Sequence, residues 1–370
     1  MRIGYDAKRL FCNHRGLGNY SRDLIRIVSQ YYPENQYDLY TPKIKIDVSL
    51  NTKNTTVILP TGVYKYLPSS LWRTIGMKSD IKRLGDDIFH GLSQELPIGI
   101  ENIAVKKVIT FHDAIFIRYP ELYASSYRKI FTAKNRQSCR IADRIIAISK
   151  QSKQDAIEFF NADPAKVEVI YQGCNNIFRQ LVSLETKEQI KRKYNLPTDY
   201  LLFVGAIEPR KNIAAILKAI SQEGINAPLV IVGRLTNYTQ ELHNLAKKLK
   251  ISTQVQFLHH VETIDLPAIY QQAQLFVYPS IFEGFGIPIL EALCSETPVI
   301  TSSGSCFEET GGEHSLYVEP LNTQEIGAAI QTVLNDSSIQ KMMKIQGSLH
   351  AQKFCDTIIA SQLMSLYKRI

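Results

Sequence analysis

The chain has 370 residues, 45% of them hydrophobic and 21% charged, with 19 Gly and 15 Pro. That balance belongs to a globular protein with a large core; it excludes disorder, collagen and coiled coil, and the length implies more than one domain. Formal net charge is +8, and the excess lies in residues 1–180, where 27 Lys and Arg face 17 Asp and Glu, against 16 and 18 in the remainder.

The asymmetry points the first half toward something anionic, whether nucleic acid, a membrane surface or a phosphate-bearing substrate, with a merely basic surface as the alternative. No apolar run approaches the ~20 residues that span a bilayer, and Met1-Arg2-Ile3-Gly4-Tyr5-Asp6 opens on a strand pattern with no signal-peptide core behind it. Six cysteines (12, 139, 174, 294, 306 and 355) stand far apart without a Cys-x-x-Cys pair. Packed thiols in a reducing cytoplasm fit them better than disulfides or zinc.

Strand-like runs alternate with amphipathic segments throughout, the mark of α/β domains with parallel sheets. In chain order the first half predicts a strand at Met1–Tyr5, a helix near Tyr20–Tyr31, and strands at Asp87–His90, Lys107–Phe111, Arg144–Ser149 and Val167–Tyr171. A polar connection follows from Asn175 to Tyr200, with a short helix near Thr186–Tyr194. The pattern then restarts with strands at Tyr200–Val204, Pro228–Val232, Val255–Phe257, Leu275–Tyr278 and Pro298–Thr301. Two doubly wound, Rossmann-like domains are expected, 1–178 and 179–355, with a last helix at 356–370 crossing back onto the first.

In open α/β sheets ligands bind beyond the carboxyl ends of strands, so segments that leave a strand and open a helix carry the chemistry. The run Tyr278-Pro279-Ser280-Ile281-Phe282-Glu283-Gly284-Phe285-Gly286-Ile287-Pro288 is one. Its glycines permit close backbone approach, and Pro288 suits a first helical turn. Backbone N–H groups of Gly284, Phe285 and Gly286 suit a phosphate or sugar hydroxyl. Glu283 in the loop and Glu291 on the helix are two carboxylate acceptors for vicinal hydroxyls of a ribose or a sugar; the plain alternative is a capping Glu283 and a solvated Glu291. Phe203-Val204-Gly205-Ala206-Ile207-Glu208-Pro209-Arg210-Lys211-Asn212 places adjacent cations after a strand, where they can neutralise a diphosphate. Val108-Ile109-Thr110-Phe111-His112-Asp113 ends a strand on His112. Arg15-Gly16-Leu17-Gly18 follows the first strand, but it lacks the third glycine and the distant acid of an NAD site. Leu229-Val230-Ile231-Val232-Gly233-Arg234 ends another strand on glycine.

The spacing of Glu283 and Glu291, with Glu-Pro-Arg-Lys-Asn and His112-Asp113, resembles the retaining glycosyltransferases of family 4, of GT-B fold. Further stretches such as Ala142-Asp143-Arg144-Ile145-Ile146-Ala147-Ile148-Ser149 extend that likeness over nearly the whole chain. The resemblance implies two Rossmann-like domains facing an interdomain cleft, and transfer of a hexosyl group from a nucleotide-diphosphate sugar with retention. It implies that Glu283 and His112 contact the donor sugar, that Arg210 and Lys211 hold the diphosphate, and that Glu291 binds the ribose. Gly16, Gly18, Gly205, Gly233, Arg234, Gly284, Phe285 and Gly286 are implied to line the donor site. Where many members carry Arg after the strand glycine, this chain has Ala206, which shifts weight onto Arg210 and Lys211. No Asp-x-Asp occurs, so no metal or other cofactor is expected. The motif combination looks closest to bacterial mannosyltransferase-like members, which favours GDP-mannose and surface polysaccharide synthesis.

The acceptor is expected to be a glycan or lipid-linked glycan. Residues 64–84 mix aromatic, aliphatic and basic side chains around Trp72, the only tryptophan. Such a segment can lie on an anionic membrane, with Lys65, Arg73, Lys78, Lys82 and Arg83 toward head groups, or can be a helix packed on the sheet. The expected location is cytoplasmic, peripheral at the membrane in the first case. Two other classes stand open, a nucleotide-sugar epimerase of the same fold and a non-enzymatic binder of nucleic acid or another anion. No nucleic-acid reading motif accompanies the basic half, so no nucleic acid is expected.

Overall fold

The computed structural model describes residues 1–14, 16–48, 50 and 53–370; Arg15 of the first glycine loop lies outside them. The chain divides into two units, Met1–Gly173 with Phe354–Ile370, and Cys174–Lys353.

The first unit is a seven-stranded parallel sheet of β1 (Arg2–Asp6), β2 (Gln36–Tyr40), β3 (Thr55–Ile58), β4 (Ile88–Gly91), β5 (Lys106–Phe111), β6 (Arg144–Ala147) and β7 (Val167–Val169). Their spatial order is β3-β2-β1-β4-β5-β6-β7, so the direction of winding reverses between β1 and β4. The helix Gly16–Tyr31 covers one face and buries Leu24, Ile25, Ile27 and Val28. The C-terminal helix Asp356–Lys368 packs beside it, adding Ile359, Leu363, Met364, Leu366 and Tyr367 to the same core. Arg26 grips Asp356 through both terminal nitrogens, at 2.7 and 3.2 Å.

The second unit repeats the plan with β8 (Leu201–Val204), β9 (Leu229–Val232), β10 (Val255–Leu258), β11 (Leu275–Tyr278), β12 (Val299–Ser302) and β13 (Leu316–Val318). The order is β10-β9-β8-β11-β12-β13, all parallel. Strands β8, β9, β11 and β12 are buried at every position, which is why they read as continuous apolar runs rather than alternating ones. The reversal point lies between β8 and β11.

Residues 64–84 fold onto the first unit. Trp72, Met77 and Ile81 are buried in a core with Tyr40, Phe89 and Ile100, and the Trp72 indole donates to Asp80 Oδ2 at 2.9 Å. Arg73 turns inward to Asp6 and Glu95; a buried guanidinium between two carboxylates is not a cation offered to a membrane.

Candidate active site

At the β8/β11 reversal two loops leave neighbouring strands side by side. The loop after β8 makes a tight turn over Pro209–Lys211, closed by Asn212 in the left-handed region. The loop after β11 lies against it, Ile281 N donating to Arg210 O at 2.9 Å. Adjacency of the strands therefore sets Arg210, Lys211 and Glu283 together.

Glu283 is 8% exposed, and its bonds converge on one oxygen. Oε1 accepts from Ser280 Oγ at 2.6 Å, Tyr278 OH at 3.1 Å and Lys211 Nζ, with Arg210 Nη1 at 3.1 Å. No partner to Oε2 is found among the described residues. Burial works to raise the Glu283 carboxyl, yet Lys211 and Arg210 overcome it and bring it down to about 2, so the group is a carboxylate at any physiological pH. Lys211 also donates to Tyr278 OH at 2.7 Å; burial lowers its ammonium against the opposing pull of Glu283. Arg210 donates to Phe282 O and, at 2.8 Å, to Glu208 Oε1. Burial acts to lower its guanidinium, but Glu283, Tyr278 and Glu208 raise it above the ordinary arginine range.

Behind this cluster the helix Ile287–Cys294 begins at Gly286, whose φ of +93° few other residues adopt. Ser305 Oγ, at 2.9 Å, and Cys306 Sγ donate to Glu283 O, and Thr310 Oγ1 to Phe285 O. The segment after β12 thus anchors the carbonyl side of the Glu283–Phe285 loop. Glu291, half-buried on the helix, accepts from Tyr270 OH at 3.1 Å. Gly205 and Gly233 directly follow β8 and β9 and lie against each other: a Cβ at Gly233 would stand 2.3 Å from Gly205 O, so glycine is required there by packing alone. Arg234 is exposed. His259 Nδ1 donates to Gly233 O at 2.8 Å.

The remaining candidates belong to the first unit. His112, 4% exposed, follows β5. Its Nε2 is 2.8 Å from Leu92 O; a carbonyl only accepts, so Nε2 carries the proton and Nδ1 is the acceptor nitrogen. Burial lowers the imidazole to about 4, with the Leu92 bond opposing and the charge of Arg9 assisting. Tyr20 meets the ring edge-on at 4.8 Å, and Ser152 Oγ donates to His112 O at 2.6 Å. Tyr20 is tied to Thr110, Thr110 to His90, and His90 to Tyr367 of the C-terminal helix, at 2.8, 2.8 and 2.6 Å. Gly16 opens its helix with nothing within 4 Å of a would-be Cβ, whereas at Gly18 the Cβ would stand 1.8 Å from Asn13 O.

The sequence reading gave no role to Tyr278, Ser280 and Tyr270, which position the carboxylates, or to Tyr20 and His259. Tyr278 and Ser280 lie inside the Glu283 motif; the others carry no local signal, because their partners are distant in sequence.

Residues 186–349 match the family described as Glycosyl transferases group 1, and residues 20–176 match Glycosyltransferase Family 4. The chain belongs to glycosyltransferase family 4. This glycosyltransferase is 29% identical over 288 residues to the O-antigen chain mannosyltransferase B of Escherichia coli, covering 76% of this chain and 74% of that protein. To the O-antigen chain mannosyltransferase RfbU of Salmonella typhimurium (strain LT2) it is 32% identical over 227 residues, covering 61% of this chain and 60% of that protein. The sucrose-phosphate synthase of Thermosynechococcus elongatus superposes on all of the chain with a TM-score of 0.81 at 20% identity, over 98% of its own length, a likeness of fold. Two Rossmann-like units of GT-B type are the architecture. Among the described residues no helix is long and apolar enough to cross a membrane.

Proposed function

We propose that this glycosyltransferase moves a hexosyl group, mannosyl in the first instance, from a nucleoside-diphosphate sugar to a glycan or lipid-linked glycan with retention of configuration. The observation that carries the reading is the enclosed cluster at the β8/β11 reversal, where Arg210, Lys211, Tyr278 and Ser280 all engage Glu283 Oε1. Two preorganised cations suit the charge that grows on a departing diphosphate, with no metal called upon. Glu283 Oε2 then accepts from a hydroxyl of the transferred sugar, Glu291 accepts from the ribose, and neutral His112 accepts through Nδ1 from a sugar hydroxyl. The C1–O bond to the phosphate breaks as the acceptor oxygen bonds to C1 on the same face, and the acceptor's proton passes to the departing phosphate oxygen. The names of the Escherichia coli and Salmonella relatives support the mannosyl preference and a role in O-antigen synthesis, while GDP as carrier rests on the motif resemblance alone.

A cytoplasmic place against an anionic membrane is favoured by a second observation. Val63, Tyr66, Leu67, Leu71 and Ile75 are exposed, with Lys65, Lys82 and Arg83 exposed in the same segment. Apolar burial joined to head-group attraction would hold this segment at the surface.

Incubation with GDP-, UDP- and ADP-sugars, with and without glycan acceptors, tests the reaction. A glycoside with the donor's anomeric configuration, formed only when acceptor is present, is expected. An epimerised free sugar released without acceptor would move the assignment to an epimerase.

A further inference from the structure

Tyr20 touches His112 and also the residue two places before it. Its hydroxyl lies 2.8 Å from Thr110 Oγ1, and its ring meets the His112 imidazole edge-on, 4.8 Å between centroids. Side chains alternate along a strand, so Thr110 and His112 leave β5 on the same face, and Tyr20, from the helix Gly16–Tyr31, lies across both. His112 is gripped at two further points, Leu92 O at Nε2 and Ser152 Oγ at the backbone carbonyl. A single bond at Nε2 leaves the ring free to tilt about that bond. The edge of Tyr20 removes that freedom, because aromatic rings in contact favour one mutual geometry.

The hydroxyl end of Tyr20 is anchored by a chain of groups whose hydrogen-bond direction follows from their chemistry. His90 is fully buried, and burial lowers its imidazole to about 3, so it is neutral with one ring proton. Tyr367, of the C-terminal helix, donates to Tyr5 OH at 3.2 Å, which leaves its oxygen to accept from His90 Nδ1 at 2.6 Å. His90 Nε2 is then the acceptor; Thr110 Oγ1 donates to it at 2.8 Å and in turn accepts from Tyr20. Burial raises the Tyr20 phenol above the usual tyrosine range, so it keeps the proton it donates. Every bond thus runs one way, from Tyr20 through Thr110, His90 and Tyr367 to Tyr5, and bonds aligned in this manner strengthen one another.

We propose that Tyr20 is a positioning residue for His112, its ring edge setting the plane of the imidazole while the Thr110–His90–Tyr367 relay holds Tyr20 in place. The role rests on the glycosyl-transfer reading above, in which His112 accepts from a hydroxyl of the transferred sugar. Through Tyr367 the C-terminal helix then reaches this histidine as well as completing the core.

A double-mutant cycle separates positioning from packing. Turnover is followed with GDP-, UDP- and ADP-sugars over α-mannotriose, galactobiose and chitotriose. Tyr20→Leu, which removes the ring edge, is expected to lower kcat about ten-fold or more, with KM for the nucleotide sugar within about two-fold of wild type. Tyr20→Phe keeps the ring, loses the tether and should fall between. In a His112→Ala background the same substitutions should change kcat less than about two-fold, because the group they act through is gone. Equal losses in both backgrounds would make Tyr20 a packing residue and overturn the proposal. Imidazole proton–nitrogen correlation spectra read the same role without turnover: the wild type should show His112 as the Nε2–H tautomer, with signals that shift and broaden in Tyr20→Leu. Signals unmoved by Tyr20→Leu, with Trp72 fluorescence verifying the fold, also overturn it. Absence of turnover with every nucleotide sugar strikes the glycosyl-transfer reading alone, and the spectra then decide the positioning.

Discussion

Lys211 and Glu283 form a buried ion pair, with the Tyr278 hydroxyl 2.7 Å from Lys211 Nζ and 3.1 Å from Glu283 Oε1. Removing one member of such a pair leaves the other charge enclosed and costs about 3–5 kcal/mol. Here the two substitutions are unequal, because Arg210 also faces Glu283. Glu283→Gln leaves Lys211 without a counter-charge and Arg210 with Glu208 alone, and is expected to destabilise the second unit by about 3 kcal/mol. Lys211→Met leaves Glu283 paired to Arg210 and costs less, and the double variant costs less than the sum. Denaturant unfolding followed by circular dichroism measures all three.

Asp86 gives the first unit a stability that falls with pH. Burial, with Asp38 beside it, pushes its carboxyl up to about 7, against the Tyr40 bond and the Arg2 charge. A carboxyl raised above its unfolded value of 3.8 favours the folded state below that value, and the benefit is lost as pH rises toward 7. Asp86→Asn mimics the protonated form. Relative to wild type it should gain about 3 kcal/mol between pH 5 and pH 8, nearly all of it below pH 7, at about 1.4 kcal/mol per pH unit for one proton. Fluorescence of Trp72, the sole tryptophan and a residue of this unit, follows the unfolding.

Gly16 and Gly18 part company under substitution. At Gly18 a methyl group meets the Asn13 carbonyl, so Gly18→Ala should lower the melting temperature of the first unit sharply. Gly16→Ala meets nothing and should fold as wild type. If Gly16 acts by backbone approach to the donor, that variant loses nucleotide-sugar affinity with its melting temperature intact; unchanged affinity would show that only Gly18 matters, and for packing.

Membrane attachment is tested by Lys65→Ser, Lys82→Ser and Arg83→Ser combined, and separately by Val63→Ser with Tyr66→Ser. Each set should reduce sedimentation with phosphatidylglycerol vesicles at least several-fold. Arg73 is left alone because its charge is spent on Asp6 and Glu95. Equal sedimentation of all variants contradicts attachment through this segment.

Much of the fold was legible because central strands of a parallel sheet are apolar on both faces, as at Leu201–Val204 and Leu275–Tyr278. The strands that went unread are the exceptions to that rule. Gln36–Tyr40 carries the buried Asp38, Thr55–Ile58 is a half-polar edge, and Leu316–Val318 has three residues. At the site, residue types and loop positions were readable, but convergence was not. Arg210 and Glu283 meet because β8 and β11 are neighbours, a property of strand order rather than of local pattern. Arg73 was misread for a related reason. Its place on an amphipathic segment resembles a solvated cation, while its partner Asp6 is 67 residues away in sequence.

The most direct test of the central claim is calorimetric binding of GDP-, UDP- and ADP-sugars to the wild type beside Lys211→Ala and Glu291→Ala. The account predicts selective binding to sugars of one base, GDP-mannose foremost, lost in both variants. No binding of any nucleotide sugar at millimolar concentration, or binding indifferent to both substitutions, would contradict the donor site at the β8/β11 reversal.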